Sequence, residues 1–249
     1  MNTLAPDAKL PLDACGVVET IVASTKSILA VTLNRFPVPP QFHEREPLTA
    51  GDYSIMEQAL EIRSSLLLPF PMATAAHLLS QGTPSDSLIA AMRYHQHPCE
   101  SAECPRESVL DGEIRRRAMN DFESFFGISS RVSVVDLPYM HLPMMDFHIA
   151  PSKRSIETVR RILKQISPCG GWILNSGKSY HFIGEQLVGW GEVLQFLAKA
   201  LLFAPIVDNN WIGHQIREGA CTLRLSRNPR TGIEGPVVVE KVTIGTEVG

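Results

Sequence analysis

The sequence has no run of about eighteen or more apolar residues, so no segment is built to cross a bilayer as a helix. Its first residues, MNTLAPDAKLPLDAC, have neither the basic start nor the apolar centre of a secretory signal, and the expectation is a soluble, cytoplasmic protein with no membrane partner. Cysteine is scarce: five residues, an odd number spread over 249, exclude a disulfide framework and agree with a reducing compartment. Positive charge is not in surplus either. With 23 Lys and Arg against 26 Asp and Glu, the net charge of −3 offers little non-specific attraction to nucleic acid. There is no internal repeat and no low-complexity stretch. An apolar share of 44% is that of a globular protein with a real core.

The charge is unevenly placed. Residues 1–130 are acidic, net −6, and residues 131–249 are mildly basic, net +3, so an anionic ligand is expected to meet the second half. A solvated charged surface is the plainer explanation. The first half is expected to be a mainly helical module, residues 1–127. Gly16 to Val31 reads as a strand pair or as a strand and a helix. Ile55, Leu60, Ile62 and Leu66 recur at helical spacing over Asp52 to Leu67. Helices also fit Met72 to Ser80 and Ser85 to Tyr94, and Ser108 to Phe126 reads as an amphipathic helix stopped by Gly127. The Arg115 to Arg117 run within it suits a solvated helix face better than nucleic acid. His95, His97, Cys99 and Cys104 place four zinc-ligand types in ten residues, but their spacing matches no common finger, and a polar surface loop is preferred.

After Gly127 the texture turns to β-branched and alternating runs. Arg131 to Val135 and Leu142 to Ile149 read as strands, Ser155 to Ile166 as a basic helix with Val159, Ile162, Leu163 and Ile166 on its apolar face, and Leu187 to Phe203 as a buried helix. Ile206 to Asp208 is a short strand, Asn209 to Arg217 a helix, and Ala220 to Ser226 and Pro236 to Ile244 the last strands. The fold class expected is α+β, with helices packed against a mainly antiparallel sheet, in a second module over residues 128–249.

Within that module Gly170 to Gly184, GGWILNSGKSYHFIG, reads as one tight hairpin. Tyr180 and Phe182 take one face and Ser179, His181 and Ile183 the other, so Ser179 and His181 can form a small polar patch for an anion. A buried histidine bonded to backbone is the equal alternative. Gly177-Lys178-Ser179 is not a P-loop, because five residues rather than four separate Gly171 from Gly177 and a strand, not a helix, follows. Asp146 and His148 point the same way from a strand end, as two ligands for a divalent metal would, though an ordinary polar strand end has the same look.

Met-Met-Asp146-Phe-His148, Ser179-Tyr-His181 and Ile-Val-Asp208 together, in that order, resemble the three motifs of the archaeo-eukaryotic primase (primase-polymerase) superfamily. The tail Asp208 to Arg217 followed by Leu223-Arg224 is similar to that of the short bacterial primase-like members. The resemblance covers about residues 130–245 and implies an RRM-like module. It further implies a nucleotidyltransferase that adds nucleotides to a chain on a nucleic-acid template. Asp146, His148 and Asp208 would then be catalytic and hold Mn²⁺ or Mg²⁺. Lys178, Ser179 and His181 would bind the triphosphate, with Arg217 and Arg224 as further phosphate contacts. Nucleoside triphosphates, a single-stranded template and a replication partner on another chain are the implied partners, since no helicase or accessory segment is recognisable here. The template would run along Arg154, Arg160, Arg161, Arg217, Arg224, Arg227 and Arg230 lining one groove. His148 stands where the family carries a second carboxylate, which removes one negative charge and favours a softer ion than magnesium. Three alternatives stand beside this reading: a catalytically inactive nucleotide- or nucleic-acid-binding member, a metal-dependent phosphohydrolase or nuclease using Asp146, His148, His181 and Asp208, and a structural domain.

Overall fold

The computed structural model describes residues 13–37, 49–66, 100–120, 124–229 and 232–244. Seven α-helices and two antiparallel sheets occur among them, so the fold is α+β, with two sheets in place of one. In chain order they are α1 (Ala14–Ser24), β1 (Ile28–Pro37), α2 (Ala50–Leu66), β2 (Glu100–Pro105), α3 (Arg106–Leu110), α4 (Glu113–Asn120), β3 (Ser124–Val134), β4 (Leu137–His141), β5 (Met144–Asp146), α5 (Lys153–Ile166), β6 (Gly171–Asn175), β7 (Tyr180–Gly184), α6 (Trp190–Ala200), α7 (Asn209–Glu218), β8 (Thr222–Arg224) and β9 (Val237–Val242). Residues 1–38 and 98–249 form one compact unit, and residues 39–97, which contain α2, form another. The helices expected over 72–80 and 85–94, and three of the four zinc-ligand candidates, lie outside the described residues. The fourth, Cys104, is buried in β2.

The first sheet runs β2-β1-β3-β4, with β8 also on β3. One edge of β3 bonds β1 along most of its length, while the other edge is divided between β8, at Gly127 to Ser129, and β4, at Arg131 to Val134. The boundary expected between 127 and 128 therefore falls inside a strand, and the N-terminal region is a mixed one that supplies two strands to the sheet. The helix expected over Ser108 to Phe126 is likewise corrected. Gly112, at φ +79, ends α3, α4 restarts at Glu113, and Phe125 and Phe126 belong to β3, where Phe125 stacks on Phe36 of β1 at 5.0 Å.

α1 starts where Asp13 accepts a hydrogen bond from the Gly16 amide, and it buries Val17, Val18, Ile21 and Val22. Each such side chain contributes about 1.5–3 kcal/mol by leaving water. α5 is capped by Ser152 and buries the four apolar residues that its periodicity marks. α6 is less buried than its composition suggests: Val193, Phe196, Leu197 and Ala200 face the core, but Leu201 and Leu202 are exposed in the 3₁₀ turn that follows.

The second sheet, β5-β7-β6-β9, contains the hairpin. β6 and β7 pair from Gly171↔Gly184 to Asn175↔Tyr180, and every residue of β7 is buried. β5 lies on the other edge of β7 with Asp146 directly opposite His181.

Candidate active site

Three stretches distant in sequence meet at the end of β5. Asp146 is its last residue, His181 is its cross-strand neighbour on β7, and Asp208 caps α7. The Asp208 amide donates to the Asp146 carbonyl at 3.0 Å, and the His148 amide donates to the Ile206 carbonyl at 2.7 Å, so the two aspartates are joined through backbone. Asp208 Oδ1 accepts from the Trp211 amide at 2.9 Å, placing the carboxylate at the positive end of α7. Its Oδ2 lies 4.0 Å from His148 Nδ1, and that imidazole is largely exposed.

Ser179 Oγ donates to Asp146 Oδ1 at 3.4 Å, while His181 Nε2 stands 3.6 Å from the same oxygen, beyond hydrogen-bond length. Burial, then the Asp208 charge, raise the Asp146 carboxyl to about 7; the Ser179 hydrogen bond and the Arg224 guanidinium oppose the rise. His181 is buried with 7% of its surface still exposed, and burial followed by the Arg224 charge lower it to about 3, so its ring is neutral and makes no ion pair with Asp146.

The turn before β7 is set locally. Asn175 Oδ1 accepts from the Gly177 amide at 2.8 Å, Gly177 takes φ +94, and the Ser176 amide donates to the Ser179 carbonyl at 3.0 Å. Lys178 is exposed at its tip. Tyr180 bonds both the amide and the carbonyl of Ser152, fastening β7 to the start of α5; no sequence pattern signals this contact.

Of the two arginines expected on phosphate, Arg224 is near enough for its charge to act on Asp146 and His181, and Arg217 lies further along α7. Arg217 sits in the last turn of α7, nine residues past Asp208 and thus roughly 14 Å along the axis, beside Glu218. Arg224 turns inward onto main-chain carbonyls. The expected arginine groove is not met by uncompensated side chains. Arg160 pairs with Glu157 and Glu240, Arg161 with Glu157 and Arg227 with Glu234, Arg154 is exposed on α5, and Arg230 lies outside the described residues. A cavity of about 560 Å³, lined by Asp13, Arg115, Met119, Arg227 and Glu234 among others, includes none of the three motif residues.

Among the described residues no group of three or more His, Cys, Asp and Glu side chains converges on one point as a ready-made metal site. Asp146, His148 and Asp208 are neighbours without forming a closed cage. Two carboxylates joined through backbone, one of them held against ionisation partly by the other's charge, do fit a magnesium-type ion that takes one or two protein carboxylates and fills its remaining positions with water and substrate phosphate. Asp146 and Asp208 would hold it, with His148 Nδ1 4.0 Å from Asp208 Oδ2.

Asp146 at a strand end, the Ser179 to His181 hairpin and Asp208 at the cap of α7 stand in the order of the three motifs that resemble those of the primase-polymerase superfamily. The family model described as AEP-like, archaeo-eukaryotic primase 1D-like, matches residues 107–236, and the chain belongs to that family. No curated protein and no solved structure gives a significant match.

Proposed function

We propose that this protein is a nucleotidyltransferase that extends a nucleic-acid chain on a single-stranded template, using Mn²⁺ or Mg²⁺. The observation that carries the reading is the backbone-joined pair Asp146 and Asp208, with the Asp146 carboxyl raised to about 7 beside its partner. When bound, the ion would activate the attacking 3′-hydroxyl and neutralise charge on the leaving pyrophosphate. Asp146 and Asp208 hold the metal, and the strand end and helix cap keep their spacing rigid. Ser179 and exposed Lys178 face the triphosphate from the hairpin turn, and neutral His181 can donate a hydrogen bond to it without adding charge. In this reading a template backbone would meet Lys153 and Arg154, which are exposed at the start of α5.

Two observations favour the second reading, a binding protein that has lost the chemistry: His148 stands where the family carries a carboxylate, and among the described residues no three-donor group is preformed. Incorporation of nucleotides on a primed and an unprimed single-stranded template, in Mg²⁺ and in Mn²⁺, decides between them. Asp208→Ala is expected to lower incorporation on the order of 100-fold or more. His148→Asp is expected to raise activity in Mg²⁺ relative to Mn²⁺, because it restores an anionic oxygen ligand. Wild-type protein that binds nucleotide but incorporates none in either metal would establish the second reading.

A further inference from the structure

We infer that Arg224 is a positioning residue, which fixes the β6–β7 turn against the acidic pair and makes no contact with substrate. The inference rests on the nucleotidyltransferase reading for its kinetic consequence only. Arg224 closes β8, opposite Gly127 of β3. Its Nη1 donates to the Ser226 carbonyl at 2.5 Å and the Glu234 carbonyl at 3.0 Å, and its Nη2 donates to the Ser176 carbonyl at 2.7 Å. Three acceptors from three separate stretches thus share one planar fork, which leaves little of the guanidinium to offer a phosphate.

Ser176 is the link to the site. Its hydroxyl bonds the Ser179 carbonyl and hydroxyl, both at 3.1 Å, and Ser179 in turn donates to Asp146. A continuous chain of hydrogen bonds therefore runs from Arg224 through Ser176 and Ser179 to the Asp146 carboxylate. A second clamp acts on the same turn: Ile233 packs so closely over Gly177 that a Cβ there would come within 2.3 Å of its Cγ2. Both clamps come from the segment that begins at β8, so that segment determines where Ser179 and Lys178 stand. A displacement of about 1 Å at such a position is enough to cost on the order of 100-fold in a positioned reaction.

The test separates the fork from the charge. Arg224→Lys keeps the positive charge but cannot reach three carbonyls in one plane. Amide hydrogen exchange of Ser176 and Gly177, whose N–H groups are bonded within the turn, is expected to quicken at least about 10-fold in this variant while exchange in β6 and β7 holds. KM for the nucleotide should rise about 10-fold with kcat changed less than about 3-fold. If Arg224→Lys does not fold, Ile233→Ala, which frees the same turn without touching the guanidinium, should show the same local quickening. Unchanged exchange in the folded variant overturns the inference, as does a large loss of kcat with exchange unchanged, which would make Arg224 a direct phosphate contact. Wild-type protein without incorporation would defeat the proposed function, yet the exchange experiment would still judge the positioning role.

Discussion

His141 is sealed at 1% exposure, its Nδ1 3.0 Å from the Ser130 hydroxyl and its ring 5.0 Å from that of Trp190, while its Nε2 has no hydrogen-bond partner. Burial, and then Arg131, lower it from 6.5 to about 4. The unfolded chain takes up a proton near pH 6.5 that the folded protein refuses until about pH 4, so the stability this group allows at neutral pH is lost as pH falls through that window. From pH 7.5 to pH 5 the loss is about 2 kcal/mol. His141→Phe should remove that part of the slope, and urea unfolding at the two pH values should show the variant gaining on wild type at the lower one. Asp146 works in the opposite sense. Its carboxyl is raised from 3.8 to about 7, so a neutral buried acid must ionise as pH rises through that range, and the folded state is penalised there. A carboxyl raised by burial and by a like charge beside it is one that a bound cation would return to its ionised form.

The β6–β7 turn depends on one backbone conformation. Gly177→Ala is expected to destabilise the protein by about 2 kcal/mol, because φ +94 strains any side chain and Ile233 occupies the space a Cβ needs. Adding Ile233→Ala should recover the steric share alone, read as a partial return of the urea midpoint. This hairpin and α5 were legible in the sequence because period-two alternation and helical apolar spacing each state a local rule, whereas the caps at Ser152 and Asp208 show only in the structure. The approach of Asp146 to Asp208 was expected from the resemblance alone, since nothing local to either run pairs them. The break at Gly112 was not: Leu110, Ile114, Met119 and Phe122 keep helical spacing across it, and Phe125 and Phe126 suit a helix or a strand equally until Phe36 is found opposite. Nor was the role of Arg224 readable, because its partners are main-chain carbonyls, which every residue carries. The ion pairs of these arginines were unreadable for a related reason. Arg160 and Glu240 are eighty positions apart, and nothing in either segment announces the pairing.

Because β1 and β2 are antiparallel neighbours with Arg35 opposite Glu100, the 39–97 unit enters and leaves the chain at the open end of a hairpin. Replacing residues 39–97 by a short glycine-serine turn is expected to leave a cooperatively melting protein, whereas a fragment starting at residue 128, which cuts β3 and discards β1, should show no cooperative transition by circular dichroism. The same sheet arrangement determines the order in which the molecule can be finished. Ser130 receives the Cys221 amide, Asp146 receives the Asp208 amide, and the Ala14 amide at the head of α1 reaches the Pro236 carbonyl. Each of these closures joins an early segment to one made much later. A chain still emerging from the ribosome can therefore fold its hairpin and most of its helices while owning half of the acidic pair, and it acquires the other half only when α7 arrives. A product cut before residue 208 therefore holds only half of the acidic pair.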